Sequence, residues 1–155
     1  MDLLDELAYG DGGKLYTNDA LLTIAVCAAG VDEEYSSEET DRIFALAVAN
    51  KMFRNEAETV ERRVFHLINS ISGGDRRAAL DRAVKSLPEE MKETAFAWAI
   101  DVLMADGFLA DESKEFVGQL AAKLSVDSEI ASEIIKVMAI RNRTIDGGAK
   151  VDLRR

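Results

Sequence analysis

One proline, Pro88, interrupts a chain of 155 residues. On either side of it run long stretches rich in Ala, Leu, Glu and Lys, which lose little freedom on entering a helix. No stretch alternates apolar and polar positions with β-branched residues, as a half-buried strand would. These two features predict an all-α fold.

Start and stop signals divide the chain into about seven helices in a single domain. Leu3, Leu4 and Leu7 suggest a short helical turn, ended by Gly10-Asp11-Gly12-Gly13. A helix from about Asn18 to Ala29 stops at Gly30. Ser36 with Glu39 three residues on spells a capping box, which opens a helix running to about Lys51. The next covers about Glu56 to Ile71. Gly73-Gly74 breaks it, and Asp75 caps a connecting helix to about Leu87. Pro88 is expected in the first turn of the following helix, with Ser86 and Glu89 as cap partners. That helix ends near Ala105, and the last two span about Glu112 to Leu124 and Asp127 to Asn142. The reading gives an N-terminal segment over 1–14, a helical domain over 15–145 and a loose basic tail over 146–155.

The chain also resembles itself. A shift of 74 residues lays Asp32 on Asp106, Glu38 on Glu112, Ala25 on Ala99, Leu46 on Leu120 and Gly73-Gly74 on Gly147-Gly148. The expected architecture is two pseudo-repeated three-helix units joined by a linker helix.

Charge narrows the function. Lys and Arg total 19 and Asp and Glu 29, a net charge of −10, which argues against nucleic acid as a partner. A hydrophobic fraction of 48% argues against disorder and suffices for one core. One cysteine and one histidine leave no disulfide framework and no Cys- or His-rich zinc site, which fits a reducing cytosol. The N-terminus, Met-Asp-Leu-Leu-Asp-Glu, lacks the basic region of a secretory signal. The longest apolar run, Ala95 to Ala105, is broken by Asp101 and is too short for a transmembrane segment. A cytoplasmic location is the expectation.

The segment from Phe96 to Phe116 carries the most chemistry. Its helix is apolar nearly all round, so it should be central and buried, yet it contains Asp101. A buried carboxylate requires a cation, a donor network or a raised pKa; an arginine partner or a water-filled edge would also serve. Asp106, at the C-terminal end of that helix, and Asp32, its counterpart, face an unfavourable dipole. Either something cationic compensates them, or each starts a turn through its own side chain. Glu38 and Glu112 stand where a helix dipole welcomes acids without any ligand. An Asp and a Glu brought together across an interhelical bend would suit a divalent cation such as Ca²⁺, Mg²⁺ or Mn²⁺. Asp101 and Glu112 match the ends of an EF-hand loop, but Leu103, Ala105 and Asp106 break the pattern between them.

No nucleophile elbow, phosphate loop or dinucleotide motif appears, so no catalytic constellation is expected. His66 reads as a helix-face residue and Cys27 as an inert buried thiol. Arg62, Arg63, Arg76, Arg77 and Arg82 form a basic cluster, either solvated helix faces or a surface for charged proteins or anionic lipid.

An apolar helix ending in Ala105-Asp106-Gly107, then Leu109 and Glu112, resembles the TerB family of tellurite-resistance proteins. Asp32, Tyr35 and Glu38 are similar to the same pattern, with Glu33 where the glycine would stand. The resemblance extends roughly over residues 15–142 and is shared by DnaJ-associated and other TerB-like domains. It implies an all-helical, internally duplicated, non-enzymatic module of tellurite and chemical-stress resistance. It implies also an acidic surface that binds a divalent cation or a protein partner, within a complex at the cytoplasmic face of a membrane. The positions carried over are Asp101, Asp106, Glu112, Asp32 and Glu38. A metal-dependent hydrolase using the same carboxylates, or an ion-free structural adaptor, are the alternatives.

Overall fold

In the computed structural model the residues described are 13–31 and 34–145. The N-terminal turn expected around Leu3 to Leu7, Asp32 and the tail from 146 onward lie outside them. The regular elements among the described residues are seven α-helices: α1 (Thr17–Ala29), α2 (Ser37–Ala49), α3 (Ala57–Ser72), α4 (Arg76–Ser86), α5 (Lys92–Leu103), α6 (Lys114–Lys123) and α7 (Ser128–Asn142). Short 3-10 turns at Lys51–Phe53, Glu89–Met91 and Asp111–Ser113 link them. The all-α expectation therefore holds.

Two helices form the centre. Every residue of α1 from Ala20 to Ala29 is buried, and α5 buries Ala95, Phe96 and Trp98 to Leu103. Small residues all round α1 (Ala20, Ala25, Cys27, Ala28, Ala29) let neighbours approach closely on every side. Accordingly α1 packs against α2, α3, α4 and α5, while α5 packs against α1, α2, α6 and α7.

The local caps form as the sequence predicts. Ser36 Oγ accepts from the Glu39 backbone N–H at 3.1 Å, and the Glu39 carboxylate accepts from the Ser36 backbone, completing the capping box. Asp75 accepts from the Ala78 N–H at 3.0 Å. A cap that was not predicted forms at Asp127, which accepts from the Glu129 N–H at 3.2 Å. Pro88 departs from expectation. It stands outside α5, as the residue preceding the Glu89–Met91 turn, and no side chain caps there. Leu87, directly before it, is extended at φ −80° and ψ 135°, because the proline ring disfavours helical backbone in the preceding residue. Ser86 instead donates to the Arg82 carbonyl at 2.8 Å and accepts from the Leu15 N–H at 2.9 Å. The central helix also ends at Leu103 rather than Ala105. The chain turns there through Gly107, whose φ of +106° is a conformation that side chains disfavour.

Cys27 is fully buried, and burial pushes its thiol up to about 12 against the smaller downward pull of the Arg76 charge. The thiolate is the reactive form. A disulfide reagent at pH 8 is therefore expected to leave the native protein unlabelled and to label one thiol per chain once denaturant is added. Native labelling as fast as a free thiol would contradict this burial.

Candidate functional site

Asp101 is the only carboxylate among the described residues with no exposure at all. It sits in the last turn of α5, and three groups close around it. Arg42 of α2 binds one carboxylate oxygen and Arg141 of α7 binds the other. The Asn142 amide donates to Asp101 Oδ1 at 2.8 Å and to the Met138 carbonyl at 3.0 Å. Arg42 also donates to Asn142 Oδ1 at 2.6 Å. The buried charge is thus matched by two guanidiniums, the arginine pairing being one of the alternatives the sequence allows. A cation at Asp101 would have to displace both.

The other predicted acids lie apart from this cluster. Asp106 is exposed in the turn after α5, where the Gly107 N–H donates to the Met104 carbonyl at 2.9 Å. Glu112 is exposed in the 3-10 turn before α6, beside Asp111. Asp111 pairs with Lys114 at 2.8 Å, and that hydrogen bond holds its carboxyl below the ordinary carboxylate value. Glu38 is exposed in the first turn of α2. Among the described residues, no three His, Cys, Asp or Glu side chains come together so as to hold a metal ion.

A concavity among the described residues lies elsewhere, between α3 and α4. Gly73-Gly74 separate these helices, and residues at the start of α1 also line the groove, whose volume is about 730 Å³. One face of α3 supplies Thr59, Arg62, His66 and Ser70, spaced three and four residues apart as one helical stripe demands, with Leu67 beside them. Ala79 and Arg82 of α4 face them, and Ile71 and Thr23 add to the lining. Leu15 and Tyr16 line the groove just before α1.

Arg63 anchors one end of this groove. Its guanidinium donates to Glu56 at 2.8 Å and to Asp19 at 3.1 Å, while Asn18 donates to the Met52 carbonyl at 2.9 Å. Burial raises the Asp19 carboxyl above its ordinary value, opposed by the hydrogen bond and charge of Arg63. The same guanidinium lies 5.9 Å over the Phe53 ring, which stacks on Trp98.

The basic cluster read from the sequence therefore divides. Arg63 turns inward to two carboxylates and Arg76 to the Gly30 carbonyl, whereas Arg62 and Arg82 border the groove. His66, read as an ordinary helix-face residue, is part of the groove wall. Apart from Leu67 the wall residues Thr59, Arg62, His66 and Ser70 are polar, so no sequence signal distinguishes this wall from a solvated helix face. No helix among the described residues is long and apolar enough to cross a membrane. No family model, no curated protein and no solved structure matches the chain.

Proposed function

We propose that this protein is a non-enzymatic, TerB-like module of tellurite or chemical-stress resistance that works by holding a segment of a protein partner in the α3–α4 groove. The groove carries the reading. Its apolar positions, Leu67, Ile71 and Ala79, lie between charged borders, the pattern by which an amphipathic helix is bound lengthwise. The TerB-like part rests on the resemblance of the Ala105–Glu112 segment, and the 74-residue repeat that goes with it can be laid on the helices. Adding the 74-residue shift to α1 and α2 gives 91–103 and 111–123, where α5 and then the Asp111–Ser113 turn with α6 lie. The third pair agrees less well, since α3 shifts to 131–146 while α7 occupies 128–142. The carboxylates lend a resident cation less support, because both oxygens of Asp101 are already engaged by arginines. A partner at the cytoplasmic face of a membrane is the setting that the resemblance suggests.

The test is genetic and needs no knowledge of the partner. The gene is deleted from its host, which is then challenged with tellurite and with unrelated chemical stresses. Wild-type chain is expected to restore growth, while Arg62→Glu and Ser70→Trp are expected to restore no more than an empty vector. Both positions are exposed, so neither change should cost more than about 0.5 kcal/mol of stability. Equal growth of the deletion and wild-type strains, or full rescue by both variants, would overturn the proposal.

A further inference from the structure

The outer face of α7 is left uncovered by the described residues. Ala131 is the one buried residue of the helix, and Ile135, Met138 and Ala139 pack partly against the core. At about 100° per residue, Ile130, Ile134 and Val137 form a stripe beside that inner face, with Ile140 at its edge. Val137 and Ile140 are 57% and 55% exposed, where a solvated helix would carry polar side chains. The stripe borders a hollow of about 270 Å³, lined by Ala97 of α5 with Glu133, Ile134, Val137 and Met138. Exposed apolar side chains continue past the helix. A Cβ at Gly107 would lie 3.2 Å from Thr144 Oγ1, so the turn after α5 meets the end of α7, and Phe108 in that turn and Ile145 are both exposed.

Charge is graded along the same helix. Glu129, Glu133, Lys136 and Arg143 follow one flank of the stripe at intervals of four, three and seven residues, all exposed, with the acids in the first half and the bases from the middle onward. None of these four side chains has a hydrogen bond or ion pair among the described residues. Arg141, by contrast, is held by Asp101. In an antiparallel two-fold pair each helix presents this flank to the same flank of its copy, running the other way. Glu129 and Glu133 then face the Lys136 and Arg143 end of the copy, and every such contact is made twice. A parallel pair would set acidic half beside acidic half. Antiparallel packing also brings opposite ends of the two helix dipoles together. The face is thus complementary to itself in one orientation, and flanking charges of this kind choose the orientation of paired helices.

We propose that this chain self-associates through α7, two copies packing antiparallel across Ile130, Ile134 and Val137. A helix of 15 residues is about 22 Å long, so the face is short. Interfaces at the small end of the size range are weak and exchange readily. The pairing is therefore a concentration-dependent dimer and not an obligate one. The face shares no lining residue with the α3–α4 groove, and the proposal does not rest on the function proposed for that groove.

Sedimentation equilibrium of the full chain, at concentrations reaching the millimolar range, tests this. The mean mass is expected to rise with concentration from 17.0 kDa towards twice that value. Val137→Asp should hold it at the monomer. Glu129→Lys with Glu133→Lys makes the flank wholly basic, and Lys136→Glu with Arg143→Glu makes it wholly acidic. Either double variant alone should associate about tenfold more weakly than wild type, because symmetry doubles each repulsion. An equimolar mixture of the two should associate at least as tightly as wild type, which also shows that both are folded. Wild type that stays monomeric throughout would overturn the proposal and leave the face to a different occupant. Association indifferent to Val137→Asp, or a mixture no tighter than its components, would overturn it too, placing the contact elsewhere or in another orientation.

Discussion

Replacing Asp101 by asparagine is expected to destabilise the protein by about 3 kcal/mol, the low end of the loss on removing one partner from a buried ion pair. The side chain is buried, and the amide that replaces it presents no charge to Arg42 or Arg141. The two arginines differ in how well they can recover. Arg141 is 54% exposed and re-enters water easily, whereas Arg42 is 23% exposed and keeps little solvent. That partial escape is why the low end applies. In a chain of this size the loss corresponds to a fall in Tm of about 6–12 °C. Removing the cations instead should rank by the same logic. Arg42→Ala should approach the Asp101→Asn loss, because it leaves the buried carboxylate with one guanidinium and Asn142. Arg141→Ala should cost about 1 kcal/mol, as exposed pairs do. Urea unfolding of the three variants decides the matter. An Asp101→Asn variant as stable as wild type would show that the cluster does not hold α2, α5 and α7 together.

The contrast between Asp101 and the helix caps explains what the sequence could tell. Ser36 with Glu39, and Asp75, are satisfied within three residues of themselves, so spacing alone reveals them. Asp101 is satisfied by Arg42, 59 positions earlier, and by Arg141, 40 later. Nothing local distinguishes those arginines from others in an acidic chain. The burial of α5 was legible because its apolar residues leave no polar face, and a carboxylate inside such a helix had to have a partner. Which partner was a matter of tertiary packing.

The groove was hidden for a related reason. Arg62, His66 and Ser70 repeat at four-residue intervals on α3, which is also how a solvated face looks. Their role depends on α4 leaving Gly73-Gly74 at an angle, and a glycine pair announces a break without fixing the angle after it. The same holds for Pro88, where the break was legible but its position relative to α5 was not.

Phe53→Ala is expected to cost about 4 kcal/mol, within the range for emptying a buried aromatic site. Phe53 has no exposure, although it belongs to a three-residue 3-10 turn that would be a marginal element alone. Its ring stacks on Trp98 at 5.9 Å and 29°, and the Arg63 guanidinium lies 5.9 Å from the ring centroid. Alanine therefore removes the packing that fixes the α2–α3 connection to α5 and the platform beneath Arg63. Tm should fall by about 8–16 °C. Phe53→Leu restores most of the volume without the ring and should cost about 1.5 kcal/mol. The difference between the two separates the cavity from the stacking. A second effect follows from Asp19, whose carboxyl is raised mainly by burial. A raised folded-state pKa favours the protonated form, so the contribution of Asp19 is present at acid pH and lost as pH rises through the folded value. Loosening Arg63 in Phe53→Ala removes the hydrogen bond and charge that oppose this rise, so that part of the pH profile should become more marked. Trp98 is the single tryptophan and touches the altered site, so its fluorescence reports both unfolding and local change. A loss below about 1 kcal/mol for alanine, or equal losses for alanine and leucine, would mean that the ring stack does not join the groove end to the core.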